Sequence, residues 1–192
     1  VATGFFDRAG ITLLSDVHEN TSYAPLKRAL VKIGMEETFH LRHGEVWMRR
    51  LAKAGGEARE LVQRAVDWMF PMTIEWFGLP DHMKRHSGQL DFKLKGLTND
   101  QLRQVWMAST VPLCEELGLD APAHWDKDKS EYVLDYPFPC QYDAVEKHWA
   151  FDEGEISWDA VFERWKKRGP MNEIYVESVQ RSRLDVQHWL AA

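Results

Sequence analysis

Cysteine is scarce in this chain of 192 residues: there are two, Cys114 and Cys140, with no Cys-x-x-Cys spacing. That excludes a disulfide scaffold and a thiolate zinc site, and reduced thiols in the cytoplasm are the simple expectation. No apolar run approaches the roughly 18 residues of a membrane span, and no signal peptide is visible. Positive charge is not in excess either. The formal net charge is −6, which gives no basic footprint for nucleic acid. The nucleophile elbow Gly-x-Ser-x-Gly, the phosphate-binding loop and the dinucleotide-binding glycine pattern are all absent. What the chain has in quantity is aromatic: nine Trp and nine Phe. These imply a large buried core or a pocket for an apolar ligand.

Helical periodicity dominates. Residues near 1–19 fit a helix. Pro25 sits well in the first turn of the next one, a long helix from Leu26 to about Ala54 that Gly55-Gly56 ends. A third helix spans about Glu57 to Phe77, with Pro71 inside it, and closes at "GLPDH". Thr98 and Gln101 have the spacing of a capping box for a helix from Asn99 to about Leu117, stopped by Gly118. From Asp120 to about Glu155 the period is lost, although "EYVLDY" suits a short strand or an extended pass. Two further helices are expected over about Ser157–Lys167 and Asn172–Leu190. The fold class is therefore all-α, a helical bundle over 1–118 with a partly irregular, wrapping C-terminal segment over 119–192.

One stretch, "MEETFHLRHGE", carries chemistry. On a helix of 3.6 residues per turn, Leu26, Leu30, Ile33, Glu37, His40, Gly44, Trp47 or Met48, and Leu51 share a face. Glu37 and His40, three apart, point together from the middle of an apolar stripe expected to face the core. A buried carboxylate needs a cation, a proton or a metal beside it. Glu-x-x-His on a core-facing helix is the half-site of carboxylate-bridged di-iron bundles, and oxygen and imidazole ligands suit iron or manganese. The competing reading is an interior pair bonded to an Arg or a hydroxyl. Gly34 and Gly44 flank the pair and suggest close helix approach or ligand access. His43 falls off the stripe centre. Glu36 and Glu45 are expected to be solvated or paired with Lys32, Arg42 or Arg49.

Asp7, in "GFFDRAG", lies about as far before the turn near Tyr23 as Glu37 lies after it. Antiparallel helices would bring them level, so Asp7 completes a three-residue metal candidate with Glu37 and His40, unless it pairs with Arg8. Asp185 and His188, in "DVQH", repeat the spacing without a second ligand helix and read as structural.

Several separated segments, in order, resemble one family. "TSYAPLKRALVKIGMEETFHLRHGE", "LTNDQLRQVWMASTVPLCEELGL", "YPFPCQYD" and "GEISWDAVFERWKKRGPMNE" are similar to the catalytic A subunits of phenylacetyl-CoA 1,2-epoxidases, which are multicomponent ring-epoxidising monooxygenases. The resemblance implies a ferritin-like bundle with a non-haem di-iron centre. It implies electrons from NADPH through a reductase partner, a related non-catalytic helical subunit, and phenylacetyl-CoA as substrate. Asp7, Glu37 and His40 match the family's acidic ligand and second Glu-x-x-His set. Phe39 and Trp47 become candidate pocket walls, and Lys27, Arg28 and Lys32 the basic side chains for the CoA moiety. A first Glu-x-x-His set is missing. The chain opens without Met, already in a helical pattern, and the helices bearing the other ligands are expected to precede Val1. By itself the chain is expected to hold half a metal site. A scaffold subunit of the same complex and a benzoyl-CoA epoxidase are the alternatives.

Overall fold

The computed structural model describes residues 1–84, 88–167, 177–179 and 181–182. The chain is predominantly helical. A π-helical turn, Thr3–Asp7, runs directly into α1, Arg8–Asn20. The short extended link at Thr21–Tyr23 leads to α2, Ala24–Ala54, with a proline in its first turn. Gly55, at φ 71°, reverses the chain into α3, Gly56–Trp76. A brief helix α4, Gly88–Asp91, precedes α5, Asn99–Glu116. The capping box at its start is present in both directions: Gln101 N–H donates to the Thr98 hydroxyl, and Thr98 N–H to the Gln101 side chain. Among the described residues, no helix is long and apolar enough to cross a membrane.

Where the helical period fades, two small antiparallel sheets form. β1, Ala123–Asp126, pairs with β2, Glu131–Leu134, the latter inside the expected "EYVLDY" pass. β3, Cys140–Asp143, pairs with β4, His148–Glu155, across an irregularity at Cys140/Gln141. Asp126 and Asp143 each accept two backbone N–H groups at the hairpin turns, so the aspartates of this region are turn formers. The sheets are fastened to the helices by side chains. Gln104 of α5 both donates to Tyr132 O and accepts from Tyr132 N, each at 2.8 Å. The Trp149 indole donates to Trp68 O of α3 at 2.7 Å. Helix α6, Trp158–Lys167, follows. Most of the expected helix at Asn172–Leu190, with Asp185 and His188, lies outside the described residues.

The core is aromatic. Phe5, Phe70 and Trp106 meet edge to face, with centroids 5.0–6.2 Å apart, and all three are fully buried. Trp106 also donates its indole N–H to Phe5 O at 3.1 Å. Edge-to-face geometry and a satisfied indole are what buried aromatics favour. The effect is to anchor the π-helical turn onto α5 two residues before Asp7.

Candidate metal centre

The turn carrying Asp7 lies against the second half of α2. A Cβ built on Gly44 would stand 2.5 Å from Gly4 N and 2.8 Å from Thr3 C, so only glycine permits this crossing. Gly44, Met48 and Ala52 are buried there. The close approach expected of Gly44 is present, and it fixes the register that brings Asp7 level with α2. A π-helical turn adds a residue to the helical circuit and recurs at functional sites; nothing in "TGFFD" signals it by composition.

Asp7, Glu37 and His40 come together. Each offers one ligand atom, and these atoms lie within 4.8 Å of one another, the group of this kind found among the described residues. His40 Nδ1 is 3.7 Å from a Glu37 carboxylate oxygen. Burial raises the Asp7 pKa above its ordinary value, repulsion from Glu37 adds to this, and His40 opposes it. Arg8 does not neutralise Asp7: its guanidinium pairs with Glu45 and also donates to Gly4 O. This corrects the expected partners of Glu45, because Arg8 reaches it across the helix crossing from 37 residues away. Among the described residues, neither Asp7 nor Glu37 has a Lys or Arg ion-pair partner.

Burial differs from expectation. Glu37 is partly exposed and the His40 side chain 60% exposed. Of the predicted stripe, Leu30, Gly44 and Met48 are buried, whereas Ile33, Trp47 and Leu51 are exposed. A helix of 31 residues lying on one side of α1 and α3 buries one narrow face, and the wider stripe read from the sequence extends beyond it. Phe39 is 73% exposed. Trp47 lies against His43 and under Arg50. The expected pocket walls are thus on an open surface. Lys27 donates to Glu19 O, and Lys27, Arg28 and Lys32 lie on the outer part of the helix, away from the core.

The donor set fits a divalent transition metal. Two carboxylates and an imidazole converge, the Asp7 pKa is raised, and among the described residues no Lys or Arg offsets the pair. A family model described as phenylacetic acid catabolic protein matches residues 1–151. The chain belongs to this family. In Escherichia coli (strain K12), the A component of the 1,2-phenylacetyl-CoA epoxidase is 32% identical over 163 residues, which are 84% of this chain and 48% of that protein. The chain therefore spans about half the length of the curated relative it matches.

Three ionic links between distant segments were not expected from the sequence, and one of them joins Arg49 of α2 to Glu116 of α5. The second is Arg8–Glu45. The third joins Glu75, 2% exposed, to Arg164 of α6. A glutamate set in "MFPMTIEWF" was the available signal for this last link, but its cation lies 89 residues away.

Proposed function

We propose that Asp7, Glu37 and His40 are ligands of a non-haem di-iron centre, in a monooxygenase that epoxidises the aromatic ring of phenylacetyl-CoA. The observation that carries this is the convergence of the three ligand types without a Lys or Arg partner among the described residues, in a chain whose relative is named an epoxidase subunit. Such a centre takes two Glu-x-x-His sets and two further acidic residues. Asp7 and the Glu37–His40 pair supply half of it, and the remaining ligands come from outside the described residues. When bound, the iron pair supplies reductive activation of O₂, with electrons passed from NADPH by a reductase component.

The chain's own contribution is positioning. Asp7 is held by a turn that Trp106 pins to α5, and Glu37 and His40 are fixed one helical turn apart. Burial and Glu37 raise the Asp7 pKa, so metal and proton compete for this carboxylate, which couples affinity to pH. The exposed ligand face of α2 is where the related helical subunit, or the rest of the catalytic bundle, completes the site. The enzyme acts in the cytoplasm, in phenylacetate breakdown. The bundle over 1–118 bears the ligands, and the described part of 119–192 braces it.

Elemental analysis of the assembled enzyme tests this. About two irons per active site are expected, with iron and epoxidation both lost in His40→Ala. Stoichiometric assembly with no iron in the wild-type enzyme would overturn it.

A further inference from the structure

A groove of about 350 Å³ opens between α1 and α2. Glu37 stands in its wall, so the groove is continuous with the candidate metal centre. Ile11, Leu14, Leu30 and Val31 make it apolar, and Ser15 and His18 give it a polar stretch further along α1. From the level of Asp7 to that of His18 is about 17 Å of helix, at 1.5 Å per residue.

Gly34 also lines this groove, one turn before Glu37 on the same helix. Its situation is the opposite of Gly44's. A Cβ on Gly34 would meet nothing within 4 Å, and its φ is not in the left-handed region. Neither backbone conformation nor packing among the described residues calls for glycine here, and glycine inside a helix is destabilising. What the missing side chain leaves is room beside a candidate ligand.

We propose that Gly34 is a specificity-determining residue, keeping the groove open so that the apolar acyl part of an aryl thioester can lie beside Glu37. The polar, amide-bearing arm of the thioester then runs toward Ser15 and His18, whose side chains can hydrogen-bond to amides. This rests on the epoxidase reading and adds to it a place and an orientation for the substrate. A branched side chain at position 34 fills the space next to the ligands, and the longer phenylacetyl group suffers more than the shorter benzoyl group.

The test uses the assembled enzyme with Gly34→Ala and Gly34→Leu. Iron content, Tm, kcat and KM are measured, together with anaerobic binding of phenylacetyl-CoA and benzoyl-CoA without turnover. In Gly34→Leu, kcat/KM and anaerobic affinity for phenylacetyl-CoA should fall about tenfold or more, the scale of a few misplaced methylenes in a pocket. Iron and Tm should match or exceed wild type, and the loss for benzoyl-CoA should be smaller. Gly34→Ala should lie between. Wild-type affinity in Gly34→Leu overturns the proposal. So does loss of iron or assembly in both variants, which would show that protein occupies the space. If the wild-type enzyme has no epoxidase activity, the functional reading fails on its own, and the binding measurements still decide the role of Gly34.

Discussion

Two carboxylate sites in this molecule differ in a way that separates structure from chemistry. Glu75, in α3, is almost wholly buried, and Arg164 closes on it from α6. Arg164 also donates to Cys140 O at 3.1 Å and lies 5.0 Å from the Trp149 ring centroid, so one guanidinium ties α3, β3 and β4 to α6. Asp7 and Glu37 are less buried, yet among the described residues only His40, and no Lys or Arg, answers them. Burial raises the pKa of Glu75 and of Asp7 alike, but Arg164 pulls Glu75 back whereas Glu37 pushes Asp7 further. Depth of burial marks the first as a brace. Unbalanced convergence is what the proposed metal site rests on.

Breaking the brace should have the largest effect on stability. Arg164→Ala leaves a buried carboxylate without its cation, with the Trp165 side chain still bonded to it, and breaking a buried pair costs about 3–5 kcal/mol. The lower end is expected, since the Arg164 side chain is 21% exposed. Denaturant unfolding measures it, and adding Glu75→Gln should recover part of the loss, because the two residues couple. Iron content should stay unchanged. A loss below about 1 kcal/mol would place the pair with surface ion pairs and remove this half of the contrast.

Gly44→Ala tests the other half. The added Cβ meets backbone atoms of Thr3 and Gly4, which cannot swing aside as a side chain can. Overpacking of this kind costs about 1–3 kcal/mol, offset by up to about 1 kcal/mol of helix propensity. The sharper expectation is functional: the turn bearing Asp7 is pushed from α2, so iron should be lost out of proportion to the modest fall in Tm. Normal iron loading in this variant would mean that the crossing does not set the ligand geometry.

Local rules made much of this readable. Thr98 and Gln101 named a helix start, Gly55 a helix end, and the tight link at Thr21–Tyr23 let Asp7 and Glu37 be levelled by counting residues. The two hairpins were lost because "HWDKDKSE" and "QYDAVEKH" carry too few alternating apolar residues to show a period of two. Their aspartates, which hold the turns, were the better signal. Long-range pairing was out of reach, since neither Arg8 nor Arg164 announces which acid it will meet. The width of the buried stripe on α2 was also overread. Periodicity shows which residues share a face, and not how much of that face the neighbouring helices cover.

The smallest effect is the most specific to the metal candidate. Asp7 has a folded-state pKa raised by burial and by Glu37. The folded protein therefore binds this proton more tightly than the unfolded chain. Its contribution to stability is present below the ordinary carboxylate pKa and lost as pH rises through the raised one. The Asp7 contribution to the stability of the metal-free wild type should therefore fall as pH climbs above about 4. Asp7→Asn should flatten that fall by less than about 1 kcal/mol, since the site is partly open to solvent. Glu75, also raised, contributes the same sign of slope in both proteins, so the difference between their curves isolates Asp7. Iron should invert the dependence, because it competes with the proton and binds more tightly as pH rises. Thermal melts of both proteins across this range, with and without ferrous iron, give the four curves. An identical slope in the metal-free pair would mean that Asp7 does not feel Glu37, and the two carboxylate sites would no longer differ in kind.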